Sequence, residues 1–136
     1  MKRFLFLMLF ASVFALLAIS SCNKNDSNSD AAALIGTKWY CSWGDDKLMT
    51  IEFLENGKLL TYWSNISKTP SGGQKDGSYS VKGNNISFPV CFLKYSLATY
   101  TFKSAELLSP TTMEVVCEDK LSDSAEPTIR KRIFSK

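Results

Sequence analysis

The sequence predicts an all-β protein, a small antiparallel up-and-down barrel of about eight strands. Three observations carry this. Asn56-Gly57 and Gly83-Asn84, dipeptides that accept positive φ cheaply, each stand between runs in which apolar and polar residues alternate. Beyond the N-terminal region no amphipathic pattern continues at helical spacing for more than about two turns. One run before the first turn, two around each of three turns and one at the end give about eight strands, the number at which a sheet closes over a filled or small-ligand interior. Closure also removes the edges that would invite pairing, although a sandwich satisfies the same count.

The chain opens with Lys2-Arg3, an apolar run from Phe4 to Ile19, and Ser20-Ser21 directly before Cys22. A basic start, a hydrophobic segment and small residues before a cut form an export signal. The arrangement resembles a bacterial lipoprotein signal with its lipobox. That resemblance implies that the Cys22 thiol takes a diacylglyceryl group, that residues 1–21 are removed, and that Cys22 becomes the mature N-terminus. The competing reading, an uncleaved membrane helix, has no need of the small residues before Cys22. Two or three acyl chains at about 0.8 kcal/mol per buried methylene anchor a protein stably. By the same resemblance, Asn23 rather than Asp after the cysteine implies the outer membrane of the cell envelope.

Asn23 to Asp30 contains no apolar residue. Such a stretch cannot bury enough surface to offset its ordering entropy, so residues 22–33 are expected to be a lipidated cysteine and disordered tether, with the barrel domain in 34–136. The rest suffices for one modest domain. Of 16 basic and 13 acidic groups, only Lys2 and Arg3 leave with the signal, so the mature chain is nearly neutral. Dispersed, balanced charge argues against a nucleic-acid partner and provides no polybasic membrane patch.

Once Cys22 is set aside, Cys41, Cys91 and Cys117 remain. In an oxidising compartment two of them form a disulfide, or all three are core thiols; the sequence does not choose a pair. Without histidine or a Cys-x-x-Cys, neither a metal site nor a thioredoxin-like motif is supported, and no cofactor is expected.

The first strand lies between Trp39 and Trp43. A two-residue turn at Asn56-Gly57 sets Glu55 opposite Lys58, Phe53 opposite Leu60 and Ile51 opposite Tyr62. Met49, Ile51, Phe53, Leu60 and Tyr62 then share the core face, with Thr50, Glu52 and Thr61 on the wet one. At Gly83-Asn84 the same construction groups Tyr79, Val81, Ile86 and Phe88. Ala98 to Lys103 returns as Thr112 to Glu118 past Pro110, with Tyr100, Phe102, Met113, Val115 and Cys117 inward. The run Thr128 to Phe134 alternates Ile129 and Ile133 with Arg130 and Arg132, as a half-solvated strand does, and closes onto the Trp39 strand.

Three segments together resemble the small lipocalin-like β-barrel domains of bacterial envelope lipoproteins: Leu34-Ile35-Gly36-Thr37-Lys38-Trp39 as the barrel opening, Ile51 to Lys58 as the first hairpin, and Gly77 to Ile86 as the next. The resemblance covers most of residues 34–134. It implies an up-and-down barrel with one open mouth, often a hydrophobic cavity, and an arginine of a late strand, here Arg130 or Arg132, packed over Trp39. Classical members open with Gly-x-Trp, whereas this chain has one residue more.

Trp39, Tyr62, Tyr79, Phe88, Tyr100 and Phe102 are the candidates to line a site for a small hydrophobic ligand. The plainer reading is that such rings fill the core or cap the barrel end. Trp63 falls on the face opposite Tyr62, on the surface or at a bulge. Ser64 to Asp76, with Pro70, Gly72 and Gly73, reads as a long connection that serves as a lid, contacts a partner or simply links. Asp45-Asp46 and Glu118-Asp119 are expected to be solvated turn residues, because neighbours on a strand point to opposite faces and cannot converge as a dyad. Without histidine, Ser-His-Asp and Cys-His chemistry is excluded, and no Ser-x-x-Lys or Gly-x-Ser-x-Gly occurs. The expectation is therefore a non-enzymatic envelope lipoprotein. It carries a hydrophobic ligand, or alternatively serves as an inhibitor or accessory module that docks another envelope protein through its loops.

Overall fold

The computed structural model describes residues 31–136. The expected signal, Cys22 and residues 23–30 of the expected tether lie outside the described residues. A helical turn over residues 31–34 leads to Gly36, whose φ of 76° lets the chain reverse into the first strand. There the Gly36 N–H donates to the Phe53 carbonyl (2.8 Å) and the Phe53 N–H to the Thr37 carbonyl (3.0 Å), tying the entry to the sheet.

Nine antiparallel strands follow: β1 (Lys38–Trp43), β2 (Lys47–Phe53), β3 (Lys58–Asn65), β4 (Pro70–Lys82), β5 (Asn85–Val90), β6 (Phe92–Tyr95), β7 (Ala98–Ser109), β8 (Thr112–Lys120) and β9 (Thr128–Ser135). Sequential neighbours pair throughout β1 to β5 and β7 to β9. A β5 to β7 pairing and the Tyr40 to Ser135 bridge between β1 and β9 close eight of them into a barrel, with β6 as an extra strand beside β7. The expected all-β barrel is therefore the fold. Its lower end holds the chain entry, the turns at 54–57, 83–84 and 110–111, and the C-terminus; its upper end holds the turns at 44–46, 66–69 and 96–97 and the longer loop 121–127.

The first hairpin departs from the expected register by one residue. Asn56 (φ 59°) and Gly57 (φ 68°) adopt the positive φ anticipated for a primed turn, and the Lys58 N–H donates to the Glu55 carbonyl. The Leu54 N–H, however, donates to the Lys58 carbonyl (2.8 Å), so Leu54 and Glu55 together oppose Lys58. That extra residue is a bulge, and it pairs Phe53 with Leu59, Ile51 with Thr61 and Met49 with Trp63. Leu59, Thr61 and Trp63 thus point inward, while Leu60 and Tyr62 lie on the outer face. Because side chains alternate with period two, one additional residue exchanged every facing residue of β3.

On β4, β5, β7 and β8 the expected faces hold. Val81 pairs with Ile86 and Ser80 with Ser87, with Tyr79, Ile86 and Phe88 buried. Tyr100, Phe102, Met113, Val115 and Cys117 are all buried, with Phe102 opposite Cys117. The segment 64–76 is not a long loop. β3 continues to Asn65 and β4 begins at Pro70, which leaves a four-residue turn at 66–69. The glycines read as loop signals instead mark irregularities within β4, where the ladder to β3 shifts at Trp63. A Cβ on Gly73 would stand 2.7 Å from Trp63 Cδ1, so the missing side chain is what admits the indole.

β6 is held differently on its two sides. Main-chain pairing joins it to β7, whereas toward β3 two inward side chains reach its carbonyls: Thr61 Oγ1 donates to Phe92 O (2.6 Å) and Trp63 Nε1 to Lys94 O (2.8 Å). The interior is filled. Trp39, Met49, Ile51, Phe53, Leu93, Phe102, Met113, Val115 and Phe134 are fully enclosed, and Leu34 plugs the floor.

Candidate functional site

β9 is in the phase opposite to the one its hydropathy suggests. Ile129 and Ile133 are 61% and 49% exposed, whereas Phe134 is enclosed and Arg132 is directed inward. The register explains this. Met113 faces Phe134, Val115 faces Arg132 and Cys117 faces Arg130, so residues continuing the interior rows of β8 are the even-numbered ones of β9. One large ring at Phe134 and one internal carboxylate at Asp119 outweigh the exposure of two isoleucines.

Asp119 is not a solvated turn residue. β8 carries it past Glu118 to the inner face, where it is 4% exposed. The Arg132 guanidinium donates to its carboxylate, Arg130 Nε lies 3.3 Å from the same oxygen, and the Cys117 thiol donates to Oδ1 (3.1 Å). Glu118, as alternation requires, points outward toward Lys103. Two guanidiniums around one carboxylate give this cluster one positive charge in excess, and Arg132 Nε is buried with no hydrogen-bond partner among the described residues. Burial lowers the Arg132 pKa, but the Asp119 charge and the contact with Cys117 outweigh it, so the group is held still more firmly charged. Burial, then the Asp119 bond, pushes the Cys117 thiol up to about 12.

Beside this cluster stands an aromatic group. Trp43 packs on Trp63 (ring centroids 5.2 Å apart) and Tyr95 (4.8 Å), and its Nε1 donates to the Tyr100 hydroxyl (3.1 Å). Lys47 caps it, with Nζ donating to the Tyr95 hydroxyl (3.0 Å). The Arg132 guanidinium lies over the Tyr100 ring at 5.8 Å. Neither arginine covers Trp39, contrary to what the resemblance implies. Trp39 is at the lower end, where the Lys136 ammonium stands 4.9 Å from its ring and its own Nε1 donates to Thr37 Oγ1 (2.8 Å).

Of the six aromatics nominated for a ligand site, Trp39, Tyr79, Phe88, Tyr100 and Phe102 are in the core. Tyr79 packs on Phe53 (4.8 Å) and donates its hydroxyl to the Leu54 carbonyl (2.9 Å). Tyr62 is outside the barrel wall, donating to Glu52 Oε2 (2.9 Å). The six do not converge. Cys41, Cys91 and Cys117 are buried free thiols, the second of the two alternatives the sequence allowed. The cluster that hydropathy alone hides is Asp119 with Arg130 and Arg132. Its signal was the parity of Phe134: once that ring is placed inside, Arg132 must follow it. Asp45 and Asp46 are exposed turn residues, as expected.

No family model matches the sequence, and no curated protein is similar to it. Among solved structures, the crystal structure of Treponema pallidum Tp0751 (pallilysin) aligns over 77% of this chain and 78% of that one, at 13% identity and a TM-score of 0.44.

Proposed function

We propose that this chain is a lipid-anchored protein of the bacterial cell envelope whose solid barrel acts as a non-enzymatic docking module for another envelope protein. The observation that carries this reading is the filled interior. The aromatic rings that would line a ligand cavity pack on one another, and their polar atoms are already bonded within the chain: Tyr79 to Leu54, Trp43 to Tyr100 and Trp63 to Lys94. A hydrophobic ligand inside the barrel would have to displace these satisfied contacts, each of which costs free energy to break and leave unpaired. On this reading the anchor joins the barrel through its lower end, opposite the loops of the upper mouth.

A small hydrophobic ligand remains the second reading, and one observation favours it: the Trp43, Trp63 and Tyr95 group is open at the mouth, with Tyr95 38% exposed. The two separate in one experiment. The full chain, purified in detergent from cells fed radiolabelled palmitate, is examined by native mass spectrometry and titrated with a fluorescent fatty acid. The docking reading expects covalent label on Cys22, lost in Cys22→Ala, and no uptake of the free probe. Stoichiometric co-purified lipid, or saturable probe uptake abolished by Trp43→Ala, would replace it with the carrier reading.

A further inference from the structure

The barrel closes imperfectly at one seam. β1 and β9 share a single bridge, Tyr40 to Ser135, although β1 runs on to Trp43 and β9 reaches up to Thr128. Above that bridge, among the described residues, β9 is paired on its β8 side alone. The direction of its main-chain groups follows from one bond. The Lys136 N–H donates to the Thr111 carbonyl on the β8 side (3.1 Å), and the β8 to β9 register is unbroken, so even-numbered residues address β8. The N–H and C=O groups of Ile129, Lys131 and Ile133 therefore face the open side. Natural sheets cover, charge or shorten such an edge, since it templates the addition of a further strand.

We propose that this edge is a strand-addition site that takes an extended segment of another protein in which acidic residues alternate with apolar ones. The inference rests on the docking reading above and names the surface and partner chemistry. An added strand would present alternate side chains to two unlike faces. On the outer face it meets Ile129 and Ile133, apolar and about half or more exposed. On the mouth face it meets Arg130, 59% exposed, and Arg132, which share the single carboxylate of Asp119. An acidic residue there supplies the second negative charge the pair lacks. A second copy of this chain is disfavoured as the occupant, because β9 against β9 sets Arg130 and Arg132 near their own counterparts, and like charges across a ladder repel.

The test uses the full chain in detergent micelles and nine-residue peptides that alternate valine with glutamate, or valine with lysine. Strand addition expects the glutamate peptide to bind roughly tenfold or more tightly than the lysine peptide, and to slow amide exchange at Ile129, Lys131 and Ile133. Lys131→Pro deletes an edge donor without touching the β8 ladder and should abolish binding. Arg130→Glu, which keeps every main-chain donor, should reverse the preference between peptides. Equal binding of both peptides, no binding by the intact chain, or full binding by Lys131→Pro would each overturn the proposal. So would a concentration-dependent dimer dispersed by Lys131→Pro, which assigns the edge to a second copy. Failure here leaves the docking reading standing if the chain still takes up no lipid; lipid uptake removes both.

Discussion

Arg132 reaches Asp119 from the adjacent strand, thirteen residues later in the chain, so that a guanidinium and a carboxylate meet inside the upper barrel wall. Breaking such a pair from one side strands the other charge, whereas removing both is often tolerated. Asp119→Leu is expected to cost about 2 to 4 kcal/mol of stability, less than for a fully enclosed pair because the Arg132 side chain is 18% exposed. The double variant Asp119→Leu with Arg132→Met should recover most of that loss. A double-mutant cycle by urea unfolding checks the coupling, and additive losses would show that the pair is not a unit.

Gly73 is required by its neighbour. A methyl at this position would collide with the Trp63 indole, and the φ of 71° is one that a side chain resists. Gly73→Ala should lower stability by about 1 to 3 kcal/mol and shift the tryptophan emission spectrum. With Trp63→Leu in the same chain, the steric part of that penalty should shrink, which thermal unfolding of the three variants will read.

The face assignment of β3 gives a contrast between adjacent residues. Thr61 is enclosed and donates to Phe92 O, while Leu60 is on the outer face. Thr61→Asp should therefore cost several kcal/mol, by burying an unpaired charge, and Leu60→Asp well under half as much. The register drawn from a bulge-free turn anticipates the reverse order, so circular dichroism melts of these two variants discriminate directly between the registers.

The three thiols set an alkaline limit. Burial raises Cys41, Cys91 and Cys117, the last from about 9 to about 12. In the unfolded chain Cys117 loses its proton near pH 9, while in the folded chain it keeps it to about 12. Its contribution is whole below pH 9 and declines as pH rises from 9 toward 12. The melting temperature should be flat from neutral pH to about 8 and fall above 9, less steeply in Cys117→Ala. Native protein should resist maleimide at all three described cysteines until denaturant is added.

The barrel was legible because turn chemistry and alternation are local. Gly83-Asn84 and the inward set from Tyr100 to Cys117 stand as the pattern demands. What was hidden came from longer range. The bulge at Glu55 is invisible to a rule that measures only the turn dipeptide. The β4 glycines resemble loop residues until Trp63 is known to occupy the space above Gly73. The inward placement of Arg132 depends on Asp119, a residue of another strand, and on Phe134, whose parity conflicts with that of Ile133. Single-strand hydropathy weighs neither.

The bulge before Asn56-Gly57 makes Glu55 expendable. Without it, Leu54 would close the same primed turn directly onto Lys58, to whose carbonyl its N–H already donates. Every partner from Phe53 and Leu59 upward would stay where it is. A chain one residue shorter here would carry an identical interior, so related sequences are free to differ in length at this spot, and comparing them by simple counting from the turn would assign β2 side chains to the wrong side of the wall.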